Sequence, residues 1–224
     1  MQLGDLELHL LVTDHWKADG GLMFGVVPKI MWEKKKPPDG NNMIDCACVC
    51  LIARKNGRVI ICETGIGSKL SEKRALQVAL REPEGMLHAL RPDVRSKPSY
   101  ITDDFTPLAD GNDLVEFLDG DAEVLPGVQI RHVGGHTPGS QVLILRSGEL
   151  ACAVTGDLVC QTPHLRVPWN MAADIEPLRV FEQKARLLDE AEKHRWLVVL
   201  SHETDQPAGY LEDGGRWRPE PRLA

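Results

Sequence analysis

Two apolar runs, Cys46 to Arg54 and Arg58 to Glu63, are separated only by Lys55-Asn56-Gly57. An Asn-Gly step supplies the two left-handed residues of a tight hairpin turn, whose twist matches that of the flanking strands. The chain is thereby committed to an antiparallel strand pair, and the rest must supply the elements that cover a sheet. Further short apolar runs repeat the pattern: Leu6 to Val12, Leu114 to Phe117, Ala122 to Leu125 and Val128 to Val133, the last three separated by Asp119-Gly120 and Pro126-Gly127 turns. Val142 to Arg146 and Ala151 to Thr155 flank Ser147-Gly148, and Trp196 to Leu200 reads as a buried strand.

Helical spacing occurs in two places. Ser71 stands as an N-cap before a stripe of Ala75, Leu76, Val78, Ala79 and Leu80. Pro177 to Arg195 repeats Leu178, Phe181, Leu187, Leu188 and Ala191 on one face. Strands in two groups with helices between them predict an α/β chain of two sheets faced by helices. Asp14 to Gly25, with Asp19-Gly20-Gly21, reads as a loop, and residues 81 to 107, with four prolines, as turns and a short helix. A single domain over residues 1–212 is expected, with a loose tail over 213–224 after Gly214-Gly215.

Charge narrows the choice of partner. Lys and Arg number 26 against 33 Asp and Glu, giving a net charge of −7, and no basic stretch is interleaved with aromatics. Nucleic acid is therefore not expected as a ligand. Met1 to Leu11 carries Asp5, Glu7 and His9 instead of a basic segment followed by an apolar one. No apolar run has membrane-spanning length, so a cytoplasmic protein with reduced thiols is expected. Cys46, Cys48 and Cys50 alternate and share one face of an extended segment. That face is either a metal cluster or three small buried hydrophobes; no Cys-x-x-Cys accompanies it, and all six cysteines are assigned to packing.

Three polar residues each follow an apolar run: His136 after Val128 to Val133, Asp157 after Ala151 to Thr155, and His202 after Trp196 to Leu200. Strand ends collect at one edge of a sheet, where ligands of open α/β folds bind. Gly134-Gly135 and Gly156 permit the sharp turns that would aim two of these side chains. Two imidazoles and a carboxylate suit zinc with a position left for water. Spacing alone leaves the alternative open, in which both histidines bond loops and Asp157 caps a turn.

At these residues the chain resembles the metallo-β-lactamase-fold hydrolases. His136-Thr137-Pro138-Gly139, Thr155-Gly156-Asp157, Ser201-His202 and the earlier Glu63-Thr64-Gly65-Ile66-Gly67 stand in that family's order. The lactonase-like branch is the nearer match. It is carried by Gly20 to Lys29, by Asp119 to Val128 and by His164-Leu165-Arg166-Val167-Pro168-Trp169. The resemblance implies an αβ/βα sandwich with a metal site between the sheets, zinc or another divalent ion being the cofactor and a small lactone or ester the substrate. It places His136 on a first metal, Asp157 between two metals as the catalytic carboxylate, and His202 on the second. Glu63 takes a support position usually held by Asp. Met23, Phe24, His164 and Trp169 become substrate-binding walls, with simple core packing as the alternative for the apolar three.

One departure is prominent. The family's His-x-His-x-Asp-His motif occurs nowhere in the 224 residues. The chain reads as shortened near residues 88–98, in its N-terminal half, which removes four of the seven metal-binding side chains that the resemblance implies. A mononuclear or weak site is the expectation. Asp14, His15, His88, Asp104, His164 and Asp205 are candidate replacement ligands. Lost strands would also expose sheet edges, so a homodimer across the gap is expected. Two functions follow: a reduced metallohydrolase, or a non-catalytic ligand- or protein-binding descendant.

Overall fold

A computed structural model describes residues 1–66, 70–81 and 118–223. Its first sheet has four antiparallel strands in the order β1 (Gln2–Leu3), β2 (Leu6–Asp19), β3 (Met43–Lys55) and β4 (Arg58–Cys62). The hairpin forms as the sequence requires, with Asn56 and Gly57 both at positive φ and Lys55 opposite Arg58. Between β2 and β3 lie two short helices, α1 (Gly20–Phe24) and α2 (Lys29–Trp32). After β4, α3 (Glu72–Gln77) starts at Ser71, whose hydroxyl accepts the Arg74 amide.

The second sheet has seven strands. Its order is β11 (Arg216–Pro219), β10 (Ala208–Glu212), β9 (Leu197–Val199), β8 (Leu150–Val154), β7 (Gln141–Ser147), β6 (Val128–His132) and β5 (Ala122–Leu125). Only β8 and β9 run parallel, joined by a crossover that contains α4 (Pro177–Lys193). A parallel pair needs such a crossover, which is why the longest helix lies here.

Alternation along the strands builds two cores. Leu143, Leu145, Cys152, Val154, Leu197 and Val199 face the first sheet and meet Leu6, Leu8, Val49 and Leu51. The intervening residues Val142, Ile144, Ala151, Ala153 and Val198 face α4, which buries Val180, Leu187, Leu188 and Ala191 against them. A sheet covered on both faces reads as continuous apolar runs, as β7 to β9 do.

Two expectations are corrected. Asp14 to Asp19 is not a loop: it is the second half of β2, paired with β3 from Asp14 opposite Cys48 to Asp19 opposite Met43 after a bulge at Val12/Asp14. The long apolar partner supplies backbone hydrogen bonds that outweigh the polar local composition. Asp19 then caps α1, its Oδ1 accepting the Gly21 and Leu22 amides at 2.8 and 3.1 Å. The tail is not loose either. Asp213, Gly214 and Gly215 all take positive φ and turn the chain into β11, with Trp217 opposite Leu211. The expected strand at Leu114 to Phe117, His88, Asp104 and the four-proline stretch after Arg81 lie outside the described residues.

Candidate metal centre

The three polar residues that follow apolar runs come together at the ends of β6, β8 and β9. Asp157 sits on a 3-10 turn, Gly156–Leu158, directly after β8, with Gly156 at φ +53°. Thr155 holds that strand end, its hydroxyl lying 2.8 Å from the Val159 carbonyl and 3.0 Å from that of Val199. His202 follows β9, and its amide donates to the Cys160 carbonyl at 2.9 Å, which clamps the two strand ends together. His136 leaves a left-handed turn, Gly134 and Gly135 having φ +62° and +89°.

Both imidazoles are anchored through Nδ1 and face the same carboxylate through Nε2. His202 donates from Nδ1 to the Ala47 carbonyl at 2.9 Å, and its Nε2 lies 2.9 Å from Asp157 Oδ1. His136 donates from Nδ1 to Asp174 Oδ1 at 3.0 Å, and its Nε2 lies 3.6 Å from Asp157 Oδ2. Asp174 is itself buried and accepts the Met171 amide at 3.0 Å. An acceptor that fixes Nδ1 and leaves Nε2 pointing at a common centre is the outer-shell arrangement of metal-binding histidine. Asp157 is the open side of the group, with 40% of its side chain exposed against 17% for His202.

Charges within the cluster are mutually compensating. Burial works to raise the Asp157 carboxyl, yet the hydrogen bond and charge of His202, with His136 behind them, bring it down to about 2. Burial works to lower His202, but hydrogen bonds to Asp157 and Cys48 lift it to about 10. His136 is also raised, chiefly by its hydrogen bond to Asp174.

One donor escaped the sequence reading. Cys160, assigned there to packing, places its thiol 3.5 Å from Asp157 Oδ1, and the ligand atoms of Asp157, Cys160 and His202 all lie within 4.8 Å of one another. Burial and the Asp157 charge hold this thiol well above its ordinary range. The signal was its place three residues beyond Asp157, on the far side of one turn. Asp174 was likewise unread, an acidic residue just after the small and apolar Met171-Ala172-Ala173. Trp16 stands edge-on to His202, with ring centroids 5.5 Å apart.

Other candidates lie elsewhere. Met23, Phe24, His164 and Trp169 are all buried and pack on one another, Phe24 stacking on His164 at 4.7 Å and meeting Trp169 edge-on at 6.1 Å. Core packing is thus their role in this structure, and none of them offers the open surface of a pocket wall. His164 donates from Nε2 to the Met23 carbonyl at 2.8 Å, and burial lowers it to about 4, so it is a neutral core histidine. Asp14 is buried beneath the bulge, where its Oδ2 accepts the Thr13 hydroxyl and the Ile66 amide. The Glu63 carboxylate bonds the amides of Thr64 and Gly65, closing its own turn. The main chain of His15 bridges Arg81, and Asp205 lines a cavity of about 280 Å³ beside Glu203.

Two buried charged groups support the centre from outside. Glu203 accepts Lys36 Nζ at 2.5 Å, the Thr162 amide and hydroxyl at 2.9 and 2.8 Å, and the Thr204 amide at 2.9 Å. It thereby ties the loop after α2 to the segments on either side of the cluster. Lys184, from α4, donates to the Trp169 carbonyl at 2.6 Å.

The turn before His136 is sterically committed. A Cβ on Gly135 would lie 2.6 Å from Val180 Cγ2 and 3.0 Å from the Val180 amide nitrogen, at a φ that side chains resist. Gly135→Ala should therefore lower unfolding stability by about 2–4 kcal/mol in urea titrations. An unchanged midpoint would show that α4 yields easily at Val180.

A two-sheet α/β sandwich with imidazole, carboxylate and thiol donors gathered at adjacent strand ends defines the class of a metal-site fold. The model of the metallo-β-lactamase superfamily matches residues 80–202, more than half of the chain, and the chain belongs to that superfamily. Among curated proteins it is 29% identical over 97 residues to an N-acyl homoserine lactonase of a Bacillus species, covering 42% of this chain and 38% of the relative. It is 27% identical over 94 residues to one from Bacillus thuringiensis, covering 41% and 36%. The matched region thus spans under four-tenths of the length of these relatives. Among solved structures, a probable metal-dependent hydrolase from Staphylococcus aureus superposes with a TM-score of 0.84 over 100% of both chains at 21% identity. The dizinc quorum-quenching lactonase AidC does so with a TM-score of 0.67 over 98% and 96% at 16% identity. These superpositions establish the metallo-β-lactamase fold that the sequence motifs imply.

Proposed function

We propose that this protein is a metal-dependent hydrolase of a lactone or ester, working with a reduced metal centre held by Asp157 together with His136 or His202. The observation that carries the proposal is the shared carboxylate: two imidazoles with Nδ1 fixed by acceptors present Nε2 to the two oxygens of Asp157. The donor set fits a divalent cation, since neutral imidazole and carboxylate are common zinc ligands. Its curated relatives are N-acyl homoserine lactonases, which supports a small cyclic or open-chain ester as substrate. The absence of His-x-His-x-Asp-His supports a smaller ligand set than two metals require.

A divalent ion in such a site supplies a polarised carbonyl and water whose pKa falls toward ~7. The chain's own residues do the rest. Asp174 and the Ala47 carbonyl keep the two rings in one orientation, so no reorganisation is needed when substrate arrives. Asp157, the most open of the three, is the carboxylate that meets the substrate side. Trp16 covers the His202 ring and keeps water from that flank.

Elemental analysis of protein purified without chelator, combined with assays on aryl esters and lactones of several ring sizes, tests this reading. Near-stoichiometric divalent metal is expected, with hydrolysis lost on chelation and restored by adding metal back. Turnover that ignores chelator would reject the mechanism. A folded protein that holds no metal and hydrolyses nothing would reject the function in favour of a binding role.

A further inference from the structure

We infer that Cys160 is a third protein ligand of the same ion, so that Asp157, Cys160 and His202 form a mixed oxygen, sulfur and nitrogen site with an open fourth position. This deepens the hydrolase reading and rests on it. The three residues come from two strand ends that the backbone already clamps, through the His202 amide on the Cys160 carbonyl. Asp157 Oδ1 is the point where they meet, 2.9 Å from His202 Nε2 and 3.5 Å from Cys160 Sγ. With zinc bonds of about 2.0–2.3 Å to oxygen, nitrogen and sulfur, neighbouring ligand atoms of a tetrahedral site lie about 3–4 Å apart. The two spacings from Asp157 Oδ1 fall at that scale, and the Cys160 and His202 atoms lie within 4.8 Å of each other.

The neighbourhood also distinguishes Cys160 from the other thiols. Cys46, Cys48 and Cys50 lie along β3, Cys62 in β4 and Cys152 in β8, whereas Cys160 stands two residues past the turn that carries Asp157. Its other sulfur contact, Met171 Sδ at 3.5 Å, is uncharged and compatible with a thiolate paired to a cation. Binding would transfer the thiol proton to solvent and leave sulfur bonded to the ion, a step that a divalent cation drives outright. The consequence is selectivity. A thiolate and an imidazole suit zinc or cobalt and are poor ligands for magnesium, calcium or manganese. One thiolate would thus substitute for part of the histidine complement that the sequence lacks.

Cobalt titration of metal-free protein reads this directly. Co²⁺ is expected to produce visible d–d absorption together with a near-ultraviolet sulfur-to-cobalt charge-transfer band, both saturating at one equivalent. Cys160→Ser should abolish the near-ultraviolet band and weaken Zn²⁺ binding more than about 100-fold, since loss of an outer-shell partner alone costs about 10–100-fold. Cys48→Ser, which removes the thiol bonded to His202, should leave the band in place. If Cys160→Ser fails to fold, persistence of the band in each of Cys46→Ser, Cys48→Ser, Cys50→Ser, Cys62→Ser and Cys152→Ser still assigns it to Cys160. Visible absorption without the near-ultraviolet band would overturn the inference and leave the metallohydrolase reading standing. No cobalt spectrum at all would remove both.

Discussion

Asparagine in place of Asp157 should reduce zinc affinity by more than about 100-fold and bring hydrolysis to background, while the fold is retained. The carboxylate is the only described group that faces both imidazoles, at 2.9 Å from His202 and 3.6 Å from His136, so its charge is shared by every donor in the cluster. Asn preserves the shape and one acceptor oxygen but removes the anion, and anionic oxygen is what a divalent ion requires. Asp174→Asn is the informative companion. It leaves every proposed ligand in place and alters the carboxylate that holds His136 Nδ1 and takes the Met171 amide. Its expected cost is about 10–100-fold in metal affinity. Isothermal titration of metal-free protein with Zn²⁺ measures both. Equal affinities for Asp157→Asn and the parent would move the centre elsewhere, and an unchanged Asp174→Asn would leave His202 as the histidine that holds the ion.

Much of the frame was legible because its signals are local. Asn56-Gly57 sets the β3–β4 turn, Ser71 starts α3, and of the stripe expected on α4 Leu187, Leu188 and Ala191 are buried, whereas Leu178 and Phe181 are exposed and Val180 takes the inner position. The errors came where a distant partner decides. Residues 14–19 are polar and adjoin Gly20-Gly21, yet β3 offers a ladder long enough to hold them as strand. The Gly214-Gly215 pair reads as slack, but positive φ at both makes it a hairpin turn that returns the tail to β10.

The candidate centre divides in the same way. His136, Asp157 and His202 could be picked out because each is a polar residue just past a run of apolar ones, and strand ends share an edge. Their supports could not. Nothing in sequence joins Asp174 to His136, 38 positions apart, or Ala47 to His202, 155 apart. Cys160 was lost for a different reason. A thiol in an apolar stretch has the composition of a core residue, and its burial is real; only its 3.5 Å approach to Asp157 separates a donor from a filler. Met23, Phe24 and Trp169 show the converse, large apolar residues that resemblance assigns to a pocket and packing assigns to the interior.

The contribution of Lys184 to the stability of the metal-free protein should become more favourable as pH rises from 7 to 9. Its side chain is fully enclosed, and burial lowers the ammonium from 10.5 to about 8, with Cys160 and Asp174 pulling the other way. Between those two values the unfolded chain holds a proton that the folded one has released, so alkali favours the folded state. Below about 8 the folded protein carries the full burden of a desolvated cation, about 3 kcal/mol. Above 9 the buried thiols Cys46, Cys50, Cys62 and Cys152 act with the opposite sign, because burial holds each above its ordinary value and unfolding frees it to ionise. His202, lifted against burial to about 10 by Asp157 and Cys48, acts with the opposite sign from pH 7 upward, because the folded protein keeps a proton that the unfolded chain releases, so the Lys184 contribution is read as the difference between parent and Lys184→Met in urea unfolding with chelator present. The parent is expected to gain about 1.4 kcal/mol on Lys184→Met between pH 7 and 9. At pH 7 Lys184→Met should equal or exceed the parent, because the lost hydrogen bond to Trp169, worth about 1–3 kcal/mol when its acceptor stays buried, offsets most of the relieved desolvation. A difference between parent and Lys184→Met that does not change between pH 7 and 9 would mean that water reaches the amine and that the cation is not truly enclosed.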